Sequence, residues 1–313
     1  MKLTRAFLRL VRWPNLFFIA VTQTLFVYCI VHPVMYTAGA APNIQGIYFI
    51  LLLVSSVVIA AAGYIINDYF DLNIDVINKP EKLVVEKIIS RRWVIFWHLL
   101  FSVTGIILGF YIDWKTKVRF LGLANFACVA LLFFYSVSLK KKLLSGNIVV
   151  SALTAWVILV IAWCETSNLL NPDITGAIAE KITRISFFYA GFAFVISLVR
   201  EVVKDLEDIE GDRRYGCNTM PIAWGINATK VFLAVWMVVL IGSLLVVQFY
   251  ALVLRWWWSV AYCIPLIIGP LLYIFKKLFS ASTSNDYHRL SSLVKLAMFT
   301  GILSIIFFRL YLK

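Results

Sequence analysis

Hydrophobic residues form long, nearly uninterrupted runs along the chain, and polar residues gather in the short stretches between them. Nearly every apolar run approaches the roughly 20 residues that an α-helix needs to cross the hydrocarbon core of a bilayer. The pattern therefore predicts an all-α protein with nine membrane-spanning helices. Their expected limits are residues 15–32, 46–66, 92–111, 118–137, 147–164, 183–200, 229–251, 258–276 and 293–312.

The composition excludes an ordinary soluble domain. Of the 313 residues, 62% are hydrophobic and only 14% are charged, and the mean hydropathy is +0.89. These values are typical of a polytopic membrane protein, and we expect one domain over residues 1–313. The basic N-terminus superficially resembles a secretory signal, but no small-residue cleavage site follows Pro14 and Asn15, so we expect a retained first helix.

The distribution of Lys and Arg predicts how the chain is oriented. One side of the nine expected spans carries 20 of these residues and the other carries 8, while Lys295 is left inside the last span. Because cytoplasmic loops are enriched in positive charge, we expect a cytoplasmic N-terminus and an external C-terminus in the cell's inner membrane. The net charge of +13 then reflects topology and attraction to anionic lipid, and requires no nucleic-acid partner.

Two short runs contain most of the acidic residues. Residues 67–75 and 200–212 hold nine of the sixteen Asp and Glu, although a carboxylate at the centre of a membrane helix costs on the order of 2.5 to 3.5 kcal/mol. If both runs are helical, each directs its oxygens to one side. The side chains concerned are Asn67, Asp71 and Asp75 in the first run, and Glu201, Asp205, Asp208 and Asp212 in the second.

Two facing rows of oxygen ligands are typical of a hard-cation site, and magnesium is the cation most often held by carboxylates together with substrate phosphates. Basic residues that suit phosphate oxygens follow or interrupt both runs. These residues are Lys79, Lys82, Lys204, Arg213 and Arg214. The alternative is two merely solvated, charged loops, but such loops have no reason to confine their acids to one helical face.

Other classes of protein also place acids in a helical bundle. A cation transporter would carry them near mid-membrane at broken helices, whereas both runs here lie at the ends of spans. A phosphotransferase for CDP-linked alcohols has a D-x-x-x-D motif with a longer Asp-Gly…Ala-Arg lead, which this sequence lacks. A binding or structural protein remains open at this point.

The two runs resemble the signatures of a known family. Residues 67–75 are similar to the N-D-x-x-D-x-x-x-D motif of the UbiA-type intramembrane prenyltransferases, and residues 208–212 to their D-x-x-x-D motif. Residues 12–15 look like the family's N-terminal Arg-x-Pro element, and residues 135–141 like its basic loop after the fourth helix. The resemblance implies a nine-helix bundle of the UbiA type, with cytoplasmic cap segments near 67–92 and 200–230 over a membrane-embedded cavity.

The resemblance also implies an activity, which is magnesium-dependent transfer of a prenyl group from a polyprenyl diphosphate to a membrane-associated acceptor. Within the superfamily, residues 204–221 look most like digeranylgeranylglyceryl phosphate synthases, which implies geranylgeranyl diphosphate as donor and geranylgeranylglyceryl phosphate as acceptor. Related segments occur in quinone-pathway enzymes, so an aromatic acceptor stays open. Gly211 and Gly216 would be flexible points for closure of the cap.

Individual roles follow from the same resemblance. Asp68 and Asp205 would be the catalytic residues, either orienting metal-bound water, binding Lys204 or assisting removal of the acceptor's proton. The implied magnesium ligands are Asn67, Asp71, Asp75, Asp208 and Asp212, and the implied diphosphate contacts are Arg12, Lys79, Lys82, Lys140 and Lys204.

Overall fold

The computed structural model describes residues 2–78, 80, 83–167 and 176–311. Across these residues the chain is largely helical, and the β-structure is limited to an isolated bridge between Val85 and Ile89. This confirms the predicted all-α fold. The helices are α1 (Lys2–Leu10), α2 (Trp13–Phe26), α3 (His32–Thr37), α4 (Ile47–Asn78), α5 (Arg91–Thr116), α6 (Leu121–Val137), α7 (Ser145–Thr166), α8 (Gly176–Glu207), α9 (Ile209–Arg214), α10 (Met220–Ala223), α11 (Ile226–Val253), α12 (Trp257–Cys263), α13 (Gly269–Ser280), α14 (Ser284–Leu303) and α15 (Ile306–Tyr311).

Each of the nine predicted spans coincides with a helical segment. Eight segments of the described chain are long and apolar enough to cross a membrane, and the fourth predicted span, α6, is a shorter apolar helix of 17 residues. Two helices extend well past their expected ends, since α4 continues to Asn78 and α8 to Glu207. The polar residues in these extensions keep their backbone hydrogen bonds within the helix, although their hydropathy resembles that of a loop.

Small and polar residues bring α4, α5 and α6 close together. Asn125 of α6 donates through its side-chain amide to the hydroxyl of Ser55 at 2.8 Å and to the carbonyl of Gly105 at 2.9 Å. The Ser55 hydroxyl donates to the same Gly105 carbonyl at 2.9 Å. Hydrogen bonds of this kind, together with glycines at the crossing points, hold membrane helices together where no hydrophobic driving force acts between them.

Introducing a side chain at Gly109 of α5 is expected to destabilise this contact. A Cβ atom there would lie 2.5 Å from the amide nitrogen of Asn125 and 2.9 Å from the Cα of Gly122. We expect Gly109→Val to cost about 1–3 kcal/mol of stability through overpacking. Thermal unfolding in detergent measures the effect, and Gly242→Val in α11 is the matched control because a Cβ at Gly242 meets nothing within 4 Å. Equal melting temperatures for the two variants would contradict the prediction.

Candidate active site

A cavity of about 1180 Å³ opens among the helices, and one end of it is charged. Its lining includes eight Asp and Glu and seven Lys and Arg, so it offers both oxygen donors and cations. The charged residues lie on the C-terminal parts of α4 and α8, on α1, α9 and α14, and on the connections between α1 and α2 and between α6 and α7. Aromatic and aliphatic side chains line the remainder, so the cavity suits a ligand with an anionic head and a long apolar tail.

The first acidic run forms one wall as part of α4. Because α4 is helical through Asn78, Asn67, Asp71 and Asp75 occupy successive turns, and all three line the cavity. The Asn67 amide donates to Asp71 Oδ2 at 2.7 Å. The ammonium of Lys140 lies 2.5 Å from Asp71 Oδ1 and 3.3 Å from Asn67 Oδ1. The oxygens of Asn67 and Asp71 therefore already bind a cation, the ammonium group of Lys140.

Lys140 reaches this position from a short turn, Leu139–Lys141, that connects α6 and α7. The turn packs against the start of α7 at Gly146, where a Cβ atom would lie only 2.6 Å from the Cα of Lys140. Burial lowers the pKa of Lys140, and the neighbouring Asp71 opposes that effect. The close packing thus leaves a poorly hydrated cation beside the α4 oxygens.

The second acidic run forms the opposite wall, but it is not one continuous helix. Glu201 and Asp205 belong to α8, the helix is interrupted at Asp208 with φ −99° and ψ 8°, and Asp212 lies on α9. The single helical stripe expected from the spacing is therefore broken. All four acids nevertheless line the cavity, and Asp205 accepts a hydrogen bond of 2.9 Å from the amide of Asn147.

The side chain of Asn78 joins the two walls. Its amide nitrogen donates to the Asp208 carbonyl at 3.1 Å, and its oxygen accepts from the Gly211 backbone N–H at 2.9 Å. A Cβ atom at Gly211 would overlap this amide. Glycine is therefore required here for close approach and not for the flexibility that the sequence suggested. The end of α4 is fastened to the break between α8 and α9.

Arg12 contributes a cation from the junction of α1 and α2. Its backbone is left-handed, with φ 51°, and its guanidinium donates to Asp68 Oδ1 at 2.8 Å while lying 5.1 Å from the centre of the Tyr64 ring. Burial alone would lower the pKa of Arg12, but the charge and hydrogen bond of Asp68, with the charges of Tyr64 and Asp75, together raise the pKa above its ordinary value. Arg12 is therefore a permanent cation, and Asp68 holds it in place.

The structure brings most of the predicted site residues together. Lys79 and Lys82 lie outside the described residues. The part of the chain that is described contains no group of three His, Cys, Asp or Glu side chains arranged to hold a metal ion. The predicted residues that line the cavity are Arg12, Asn67, Asp68, Asp71, Asp75, Lys140, Lys204, Asp205, Asp208 and Asp212.

Three lining residues were missed by reasoning from sequence. Asn147 positions Asp205, and Arg200 and Lys295 add positive charge to the cavity wall. Asn147 gave no signal beyond being a polar residue at the start of an apolar run. Lys295 did give one, because an ionisable residue inside a predicted span is expensive and marks a functional site by default.

Known proteins resemble this chain along most of its length. Residues 24–303 match the pattern of the UbiA prenyltransferase family. The chain is 28% identical to the digeranylgeranylglyceryl phosphate synthase of Methanosphaera stadtmanae, over 78% of this chain and 81% of that one. It is 35% identical to the synthase of the same name from Methanothermobacter thermautotrophicus, over 65% of this chain and 66% of that one.

Solved structures share the fold. A chain from a study of digeranylgeranylglyceryl phosphate synthase in membranes superposes with a TM-score of 0.57 at 20% identity, covering 98% of this chain and 99% of the other. A UbiA homologue from Archaeoglobus fulgidus, bound to GPP and Mg²⁺, gives a TM-score of 0.55 at 17% identity over 96% and 99% of the two chains. The predicted helical architecture is thus confirmed.

Proposed function

Because the chain belongs to the UbiA prenyltransferase family, we propose that it transfers a geranylgeranyl group from geranylgeranyl diphosphate to geranylgeranylglyceryl phosphate. The protein is an integral membrane protein. One observation carries the proposal, namely that both acidic runs line a single cavity and are joined by Asn78. The names of the relatives support the choice of donor and acceptor.

Magnesium fits the donor set of the cavity. The oxygens of Asn67, Asp71, Asp75, Asp208 and Asp212 are hard ligands of the kind that magnesium prefers, and those of Asn67 and Asp71 already face an ammonium group. A UbiA homologue with the same fold binds Mg²⁺ together with GPP. When bound, the ion would supply positive charge that stabilises the diphosphate leaving group.

The basic residues of the site have a complementary role. Lys140, Arg12 and Lys204, with Lys79 and Lys82, would contact the diphosphate oxygens as the allylic C1–O bond breaks. Asp68 would hold Arg12 in position. The allylic carbocation would then be captured by the hydroxyl oxygen of the acceptor, forming an ether bond, and Asp205 would accept the hydroxyl proton.

The site must also exclude water, which would otherwise capture the carbocation. We propose that the segments near 67–92 and 200–230 form the cap that does this. The side chain of Asn78 forms hydrogen bonds with the backbone of Asp208 and Gly211, and we call this contact the clasp. It supports the proposal, because it connects one segment to the other. The excess of Lys and Arg on this side of the chain supports a site that faces the cytoplasm, with the N-terminus on the same side.

The purified protein, incubated with geranylgeranyl diphosphate and magnesium, tests the proposal directly. We expect an ether-linked product with geranylgeranylglyceryl phosphate, identified by mass, and expect chelation with EDTA to abolish its formation until Mg²⁺ is restored. If product forms with an aromatic acceptor and not with geranylgeranylglyceryl phosphate, the protein belongs to quinone synthesis instead. Absence of product with every acceptor would refute prenyl transfer.

A further inference from the structure

Four cations converge on the side of the cavity formed by α2, α8 and α14. The charges that act most strongly on Lys295 of α14 are those of Arg200, Lys204 and Arg12, and all four residues line the cavity. Two acids, Asp68 and Glu201, form ion pairs within this group. We call these four cations the basic cluster.

Lys295 occupies an unusual position for a lysine. It lies within a helix that is long and apolar enough to cross the membrane, where a charged residue is costly and needs a partner. Its ammonium donates to the side-chain oxygen of Asn15 at 2.7 Å and lies 5.2 Å from the centre of the Phe18 ring. Both contacts are with neutral groups, and no ion pair joins Lys295 to a carboxylate of the described residues.

The guanidinium group of Arg200 is only partly paired. Its Nη1 donates to Glu201 Oε1 at 2.8 Å, but its Nε donor is buried and has no hydrogen-bond partner among the described residues. A buried donor left unpaired costs on the order of 1–3 kcal/mol, more where the group is charged. The Arg200 side chain as a whole keeps 19% of its surface accessible and lines the cavity, so a bound anion can contact the guanidinium.

Two members of the basic cluster, Arg12 and Lys204, are also proposed contacts of the donor's diphosphate, whereas Arg200 and Lys295 are not. The charges that act most strongly on Lys140, beside the α4 oxygens, are those of Asp71 and Asp75. Those that act most strongly on Lys295 are the positive charges of the other members of the basic cluster. One region thus combines carboxylates with a lysine, as a metal-bound diphosphate requires. The other presents Arg200, paired with Glu201, and Lys295, held by a neutral side chain, as an anion bound without a metal requires.

We propose that Arg200 and Lys295, on the adjacent helices α8 and α14, bind the phosphate monoester of the acceptor. This inference rests on the proposed function, in which both substrates carry phosphate. The cavity volume of about 1180 Å³ exceeds the roughly 300–1,000 Å³ typical of a site for one small ligand, which favours a site for more than one substrate. Placing the acceptor phosphate on α8 and α14 leaves the α4 wall to the donor.

Binding of labelled geranylgeranylglyceryl phosphate without donor tests the proposal independently of catalysis. We expect Lys295→Met to weaken this binding about tenfold to a hundredfold, as for loss of a charge-assisted hydrogen bond, and expect Lys295→Arg to retain most of it. Geranylgeranylglycerol, which lacks the phosphate, should bind both proteins equally. The control is Lys277→Met, because Lys277 is exposed on α13 and does not line the cavity.

Kinetics provide the second measurement. In Lys295→Met we expect the KM for the acceptor to rise by a similar factor while the KM for geranylgeranyl diphosphate stays within about twofold. A rise in the donor KM instead, or unchanged acceptor binding in a folded variant, would overturn the proposal. Equal displacement by phosphatidylglycerol would assign the cluster to bilayer lipid and overturn it too. If the wild type binds the acceptor but makes no product, the proposed function fails and the phosphate site stands.

Discussion

Asp71→Asn is expected to lower the rate of prenyl transfer about a hundredfold to a thousandfold, the loss typical of removing one preorganised electrostatic group. The substitution removes a proposed magnesium ligand. It also removes the charge that pairs with Lys140 at 2.5 Å, so both the metal and the diphosphate contacts suffer. Single-turnover product formation, measured by mass at saturating substrates, gives the effect on the chemical step.

A matched acid-to-amide change outside the cavity controls for loss of fold. Glu180→Gln removes an exposed pair with Arg184 on α8, and such pairs contribute little, so its activity should equal that of the wild type. Combining Asp71→Asn with Asp208→Asn should cost little more than the worse single variant if both residues hold the same ion. Additive losses would show that the two acids act separately, and a folded Asp71→Asn protein with near wild-type activity would exclude a catalytic role for Asp71.

Gly211→Ala should reduce activity about a hundredfold, because a displacement of about 1 Å in a catalytic group can cost that much. The added methyl group would overlap the Asn78 amide and so displace Asp208 and Asp212 from the α4 wall. We expect kcat to fall while the protein stays folded, since the change affects one contact at the membrane surface. The measurement is kcat together with the melting temperature.

Two further variants make this test specific. Gly191→Ala changes a glycine in the middle of the preceding helix α8, where a Cβ meets nothing within 4 Å, and it should be silent. Asn78→Ala removes the other half of the clasp, so the double variant Asn78→Ala/Gly211→Ala should be no worse than either alone. Full activity in Asn78→Ala would mean that the clasp does not position the acids.

Hydrophobic pattern alone located the helices well, for a physical reason. A membrane leaves no alternative to the helix for an apolar run of sufficient length, because every backbone polar group must be satisfied within the segment. The ends of α4 and α8 were placed too early, at residues 66 and 200 instead of Asn78 and Glu207. The polar residues there lie beyond the apolar runs that defined the spans, yet nothing in their propensity stops a helix that is already formed.

The site was only partly accessible from sequence. Asp71 and Asp208 were found because carboxylates are conspicuous in so apolar a chain. The hydrogen bond between Lys295 and Asn15 joins residues 280 positions apart, and the bond between Asn147 and Asp205 joins residues 58 apart. Contacts over such distances depend on how the helices pack, which local spacing does not encode.

Helix α4 runs without interruption from the apolar span to Asn78. This continuity restricts where residues can be inserted or deleted. Inserting or deleting a single residue before Asn67 would rotate everything downstream by about 100°, since an α-helix has 3.6 residues per turn. Asn67, Asp71 and Asp75 would then turn away from the cavity together. We therefore expect single-residue insertions and deletions in α4 ahead of Asn67 to be selected against.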